Sequence, residues 1–141
     1  DLSALKMAEN ERDTLFQLSP DMLCVAYIDG RFKQVNPAWT RTLGWREDEL
    51  LSMPYTELVH PDDLAATLAA GQRLRDGHAV LGFENRYRAR TGAYRLLSWN
   101  SFPLPDAGVT FGVVRDVTER AAAEAAQREA DQRAGERQRL E

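Results

Sequence analysis

An α+β fold, with one antiparallel sheet and its helices gathered on one face, is the class this sequence predicts. Three observations carry it. Apolar alternation with a period of two sets in at Val80 and runs through three segments, so strands follow the helical turns as well as preceding them. Two opening strand candidates are separated from those three by a run of short helical turns, and there is no regular strand–helix alternation of the parallel kind. All three Trp, all four Tyr and all five Phe fall before Val117, while the rest of the chain is rich in Ala and charge. The core is therefore confined to the first part.

The head is helical: Leu2, Leu5, Ala8, Arg12, Leu15 and Phe16 recur at close to 3.6-residue spacing. Ser19-Pro20-Asp21 stops it, because Pro20 disfavours the helical region at Ser19. This helix is amphipathic but narrow and needs a partner surface. Residues 22–28 read as a strand, Asp29-Gly30 as a hairpin turn and residues 31–36 as the returning strand. Asn36 is positioned to cap a short helix over 38–43, with Pro37 at its first position and Gly44 at its end. Residues 47–50 and 54–59 read as single turns. Asp62 or Asp63 starts a longer helix through Leu64, Leu68 and Leu74, ending near Asp76-Gly77. Residues 80–90, 94–102 and 109–117 are the later strands, joined by Thr91-Gly92 and by Pro105-Asp106-Ala107-Gly108. The Ala-rich tail is a strong helix former, capped by Asp116 or Thr118, with Glu119 three residues after Asp116 as in a capping box. It reads either as a solvated extension or as one strand of a weak parallel coiled coil.

Composition narrows the function. With 141 residues, 43% of them hydrophobic and 28% charged, this is one ordinary folded domain. Lys plus Arg total 18 against 22 Asp plus Glu, a net charge of -4 that argues against general nucleic-acid binding. The single cysteine, Cys24, excludes an intrachain disulfide and a multi-cysteine zinc or iron–sulfur site. No run of about 18 apolar residues predicts a transmembrane helix, and no signal peptide is recognisable. The chain reads as a cytoplasmic segment of a longer protein, with no membrane contact of its own. Phosphate-binding loops, paired zinc histidines and a serine elbow around Ser19, Ser52, Ser98 or Ser101 are all missing from the sequence. Asp62-Asp63 and Glu47-Asp48-Glu49 read as solvated caps and faces. No catalytic activity is expected.

An ordered set of motifs then becomes recognisable. It comprises Phe16-Gln17-Leu18-Ser19-Pro20-Asp21, Asp29-Gly30-Arg31-Phe32, Val35-Asn36-Pro37-Ala38-Trp39, Leu43-Gly44-Trp45, Glu49-Leu50 and His60-Pro61-Asp62-Asp63. The second half adds Phe83-Glu84-Asn85-Arg86-Tyr87-Arg88, Gly92-Ala93-Tyr94-Arg95, Trp99-Asn100 and Arg115-Asp116-Val117-Thr118-Glu119-Arg120. Over residues 16–120 the chain resembles a PAS domain of the large sensory group. The flanks, 1–15 and 121–141, resemble the helical linkers of such domains. The resemblance implies a five-stranded antiparallel sheet in the order 2-1-5-4-3, with small helices on one face that enclose a ligand in some members. It implies sensing or association, not turnover, and a parent that is a sensor histidine kinase. The alternatives are a ligand-free dimerisation module, or the input domain of a diguanylate cyclase or phosphodiesterase. By the same resemblance Asp116 holds the end of the sheet against the output helix, Thr118 helps fix the exit, and an output domain follows on the same chain.

No cofactor is expected. His60, before Pro61, reads as a loop cap, and His78 lies just beyond the long helix, on which the haem-binding members carry their histidine. The light-sensing members have an Asn-Cys-Arg-Phe-Leu-Gln stretch, where this chain has Thr42-Leu43-Gly44-Trp45. Cys24 alternates with Ala26 and Ile28 and reads as a small buried hydrophobe. An unidentified small apolar ligand is harder to dismiss. Phe83, Asn85 and Tyr87 share one face of the third strand, while Leu96, Ser98, Asn100 and Phe102 share one face of the fourth. Asn85, Ser98 and Asn100 would orient a ligand among these apolar groups. Alternation leaves open which faces point inward, because Leu97, Trp99, Phe111 and Val113 make the other face partly apolar too. That second face needs cover, which predicts a homodimer through the head helix and the outer sheet face.

Overall fold

The computed structural model describes residues 1–140. Helix α1 spans Leu2–Leu18, capped by the Asp1 carboxylate on the Ser3 amide. It reaches the last residue that Pro20 permits, for Ser19 is already extended at ψ 132°. Strands β1 (Met22–Tyr27) and β2 (Phe32–Val35) form the first hairpin, followed by α2 (Ala38–Leu43) and α3 (Glu47–Ser52). Short 3₁₀ turns at Tyr55–Glu57 and Pro61–Asp63 lead into α4 (Leu64–Arg75). Strands β3 (Val80–Arg88), β4 (Tyr94–Leu104) and β5 (Val109–Asp116) follow, and α5 (Thr118–Leu140) leaves the sheet. The five strands form one antiparallel sheet in the order β2-β1-β5-β4-β3, as expected.

The core lies between the inner sheet face and α2, α3 and the turn at Tyr55. Met22 and Cys24 on β1, Leu97 on β4 and Val114 on β5 meet Trp39, Leu43, Leu50 and Leu58 from the helical layer. Trp39 is fully buried, packs edge-on against Phe32 at 5.0 Å and lies 5.8 Å from Trp99, and its indole N–H donates to the Leu23 carbonyl at 3.0 Å. Gly30 turns the first hairpin at φ 95°, and a Cβ there would fall into the Tyr55 ring.

Two expected caps are employed elsewhere. Asn36 does not cap α2 with its side chain. Its carbonyl oxygen accepts from the Leu23 amide at 2.8 Å, and its amide donates to the carbonyls of Phe16 (3.1 Å) and Asp21 (2.9 Å). Asp63 precedes α4 without capping it, because Arg86 holds its carboxylate with two guanidinium bonds of 2.9 Å and one backbone bond of 2.7 Å. The outer sheet face carries Leu23, Phe111, Val113 and Phe102, and α1 borders it along a single groove beside Leu15, Phe16 and Leu18. No residue of α1 or α5 is buried. Among the described residues no helix is long and apolar enough to cross a membrane.

Candidate functional site

A cavity of about 190 Å³ opens between the inner sheet face and α4. Its existence follows from small residues on facing elements. Gly112 on β5 lets the Cys24 thiol and the Trp99 ring approach, a Cβ there standing 2.9 and 3.7 Å from them, while Ala70 and Gly71 keep α4 from filling the space. Phe83, Tyr87 and Trp99 supply an aromatic wall. A polar chain crosses it: the Trp99 indole N–H donates to Asn85 Oδ1 at 2.7 Å, the Asn85 amide donates to Thr67 Oγ1 at 3.1 Å, and the Thr67 hydroxyl donates to the Asp63 carbonyl at 2.8 Å. Asn85 is thereby satisfied at 2% exposure, which an unpaired amide would not tolerate. Burial pushes the Tyr87 phenol well above its ordinary value, with smaller pushes from Cys24 and Tyr55, so it remains a hydroxyl donor. Burial also pushes the Cys24 thiol up to about 12, so it is an inert wall residue and not a nucleophile.

The second constellation sits where the sheet meets α5. Asp116 Oδ1 accepts from the Thr118 amide at 3.0 Å and the Thr118 hydroxyl at 2.5 Å, and Asp116 Oδ2 accepts from Arg95 Nε at 2.7 Å. The other arm of Arg95 reaches Glu119 Oε1 at 2.6 Å, and the Leu96 amide donates to Thr118 Oγ1 at 2.8 Å. Four side chains thus tie β4, β5 and the first turn of α5 together. Burial pushes the Asp116 carboxyl up, but the hydrogen bonds from Thr118 and the Arg95 charge outweigh it and hold the carboxyl below its ordinary value. For Asp63, the Arg86 hydrogen bonds set the direction, again downward. A carboxyl depressed in the folded state stabilises above its unfolded pKa, about 3.9 for Asp, and loses that contribution as pH falls through the lower folded value. Thermal melting should therefore hold steady from neutral pH down to about 4 and then fall. Asp63→Asn should flatten part of the fall; an equally steep profile would assign the acid response elsewhere.

A family model described as the PAS fold matches residues 32–114, more than half of the chain. The chain belongs to the PAS family. Solved structures agree. A domain of the sensory box sensor histidine kinase/response regulator from Geobacter sulfurreducens is 26% identical, with a TM-score of 0.70 over 79% of this chain and 96% of that one. The PAS domain of an HTR-like protein from Haloarcula marismortui is 24% identical, with a TM-score of 0.62 over 81% and 95%. A PAS domain from Colwellia psychrerythraea is 17% identical, with a TM-score of 0.70 over 79% and 98%. These last two share the fold. No curated protein matches the chain.

Within this PAS sensory domain, the residues singled out from spacing divide between two faces. Phe83, Asn85 and Tyr87 line the cavity together. Ser98 and Asn100 do not join them. Both point to the outer face, where Ser98 pairs with Glu84 and Arg115, and Asn100 Oδ1 accepts from the Gly82 amide at 2.9 Å to hold the bulge in β3. The β4 residues that look inward are Leu97 in the core and Trp99, Ser101 and Pro103 along the cavity, with Trp99 and Ser101 beside Val114 and Gly112. Asp116 and Thr118 meet at the junction, away from the cavity lining. Arg95, the residue that joins them to Glu119, is 21 positions from Asp116, and only the pairing of β4 with β5 brings the two together. His60 caps the Pro61 turn, its Nδ1 accepting from the Asp62 amide at 3.0 Å, and His78 is exposed.

Proposed function

We propose that this PAS domain is the signal-input module of a larger signalling protein, with a sensor histidine kinase as the parent class, and that the sheet passes its state to α5. The observation that carries the reading is the Arg95–Asp116–Thr118–Glu119 network, which makes the α5 entrance depend on the β4–β5 pair. The 26% identity to a domain of a sensory box histidine kinase favours that parent over a diguanylate cyclase or phosphodiesterase. A cavity of about 190 Å³ favours a small-molecule sensor over a ligand-free dimerisation module, and it holds far fewer atoms than a haem or a flavin has. In this reading the segment works in the cytoplasm, has no catalysis of its own and acts through the domain that α5 leads into. Asp116→Ala should speed hydrogen exchange of the amides of 118–121 about tenfold while leaving the cavity strands protected. Asp116→Asn, which can still accept from Thr118, should fall between the two. Unchanged exchange at 118–121 in the alanine variant sinks the relay.

The partner in this reading is a second copy of the chain. Helix α1 forms without burying a single residue, and Leu2, Leu5, Leu15 and Leu18 all stand in solvent. An isolated helix of 17 residues is marginal in water, so an identical stripe on a partner is the simplest surface to stabilise it. Sedimentation at about 100 µM should give a dimer, and removing residues 1–15 should weaken it; a monomer at that concentration rejects the interface.

A further inference from the structure

The cavity contains one feature that a purely apolar ligand would leave unused. Arg75, at the end of α4, lines it and pairs with no carboxylate among the described residues. Its Nε and Nη2 donate to Gln72 Oε1 at 3.2 and 2.8 Å, and Gln72 is itself anchored on Asp76 at 3.0 Å. That clamp does not use Nη1, which has no hydrogen-bond partner among the described residues. The Tyr55 hydroxyl and Arg75 Nη1 lie 3.7 and 3.8 Å from the point where a Cβ on Gly71 would stand. The missing side chain therefore opens a gap between two donors, one of them cationic, at the edge of an aromatic-walled cavity. Donors this close to a common point can be bridged by the two oxygens of one carboxylate, the anion whose geometry a guanidinium matches best. Burial pushes the Tyr55 phenol above its ordinary value even against the Arg75 charge, so it stays a donor.

Resting on the sensory reading above, we propose that the cavity binds a small monocarboxylate with an apolar body, its carboxylate held between Arg75 and Tyr55 over Gly71 and its body against Phe83 and Trp99. A cavity somewhat larger than one that admits benzene sets the body and head together at about ten non-hydrogen atoms. Titration calorimetry with 3-phenylpropanoate and with its neutral amide, 3-phenylpropanamide, tests the assignment. The acid should bind at least about tenfold more tightly than the amide. Arg75→Gln should abolish that preference while leaving amide binding within about twofold. Gly71→Ala places a better helix former in α4, so it folds, yet it should weaken acid binding several-fold by filling the gap. Equal affinity for acid and amide, a preference that survives Arg75→Gln, or no binding of either up to about 1 mM overturns the proposal. Hydrogen exchange on the same samples separates the two ideas. Selective acid binding with no change at 118–121 keeps the carboxylate site and removes the relay, whereas a change at 118–121 supports both.

Discussion

Trp39→Ala should destabilise the domain by about 3–5 kcal/mol, a large share of the total stability of a domain this size. Trp39 is fully buried and lies within 5.0 Å of Phe32, 5.8 Å of Trp99 and 6.2 Å of Tyr87, ring centre to ring centre. Removing it leaves a void that three aromatic neighbours cannot refill from their rotamers. The lost hydrogen bond is the smaller part, because the Leu23 carbonyl that accepts from the indole also accepts from the Asn36 backbone N–H at 3.0 Å. Trp39→Phe, which keeps most of the packing and loses that bond, should therefore cost only about 1–2 kcal/mol. Urea denaturation of the three proteins measures both values. A cost below about 1 kcal/mol for the alanine variant would mean that the site collapses around the void. The substitution also bears on the proposed ligand site, since Tyr87 and Trp99 are packed against Trp39 on one side and face the cavity on the other.

The parts of this molecule that were legible in the sequence are those whose signal is local. Period-two alternation marked β3, β4 and β5 to within two residues at each end, and Asp29-Gly30 and Gly44 marked turns that need φ of 95° and 85°. What was not legible depends on who arrives from a distance. Asn36 before Pro37 has the form of a helix cap, but the hairpin brings the Leu23 amide within 2.8 Å of its side chain, and that buried donor takes precedence. Asp63 likewise looks like a cap until β3 delivers Arg86. The inward face of β4 could not be chosen from alternation, because Leu97 and Trp99 compete with Leu96 and Phe102 for the apolar role. The close packing at Gly112 shows which face is inward: opposite Ser101, a Cβ there would stand 2.9 Å from the Cys24 sulfur and 3.7 Å from the Trp99 ring. Gly71 and Arg75 share a face of α4 at i, i+4 spacing, but Tyr55 comes from a separate turn, and the two donors flank a gap only when α4 packs over it.

Asn36→Ala should cost about 2–4 kcal/mol and loosen α1 from the domain. At 1% exposure, the Asn36 side chain serves three backbone groups, and alanine leaves the Leu23 amide and the carbonyls of Phe16 and Asp21 without it. A buried donor left without a partner costs about 1–3 kcal/mol, which sets the scale. Asn36→Asp separates the acceptor role from the donor role. Ionised, it still accepts from Leu23 but turns a negative charge toward two carbonyl oxygens; protonated, it regains one donor. Its folded pKa is thereby raised, so relative to the parent protein it should be most stable at acid pH and lose ground as pH rises through that value. A constant deficit across pH would show that the donor bonds contribute little. No residue of α1 is buried, so the bond from Asn36 to the Phe16 carbonyl is a main tether of that helix, while the exposed Arg115–Asp21 pair at 3.1 Å holds the connection between α1 and β1. Amides of the last turn of α1 should exchange faster in the alanine variant while the α5 junction stays protected. The two ends of the domain are thus held by separate networks, Asn36 before α2 and Asp116 before α5, and the paired strands β1 and β5 lie between them, the path that the proposed relay would use.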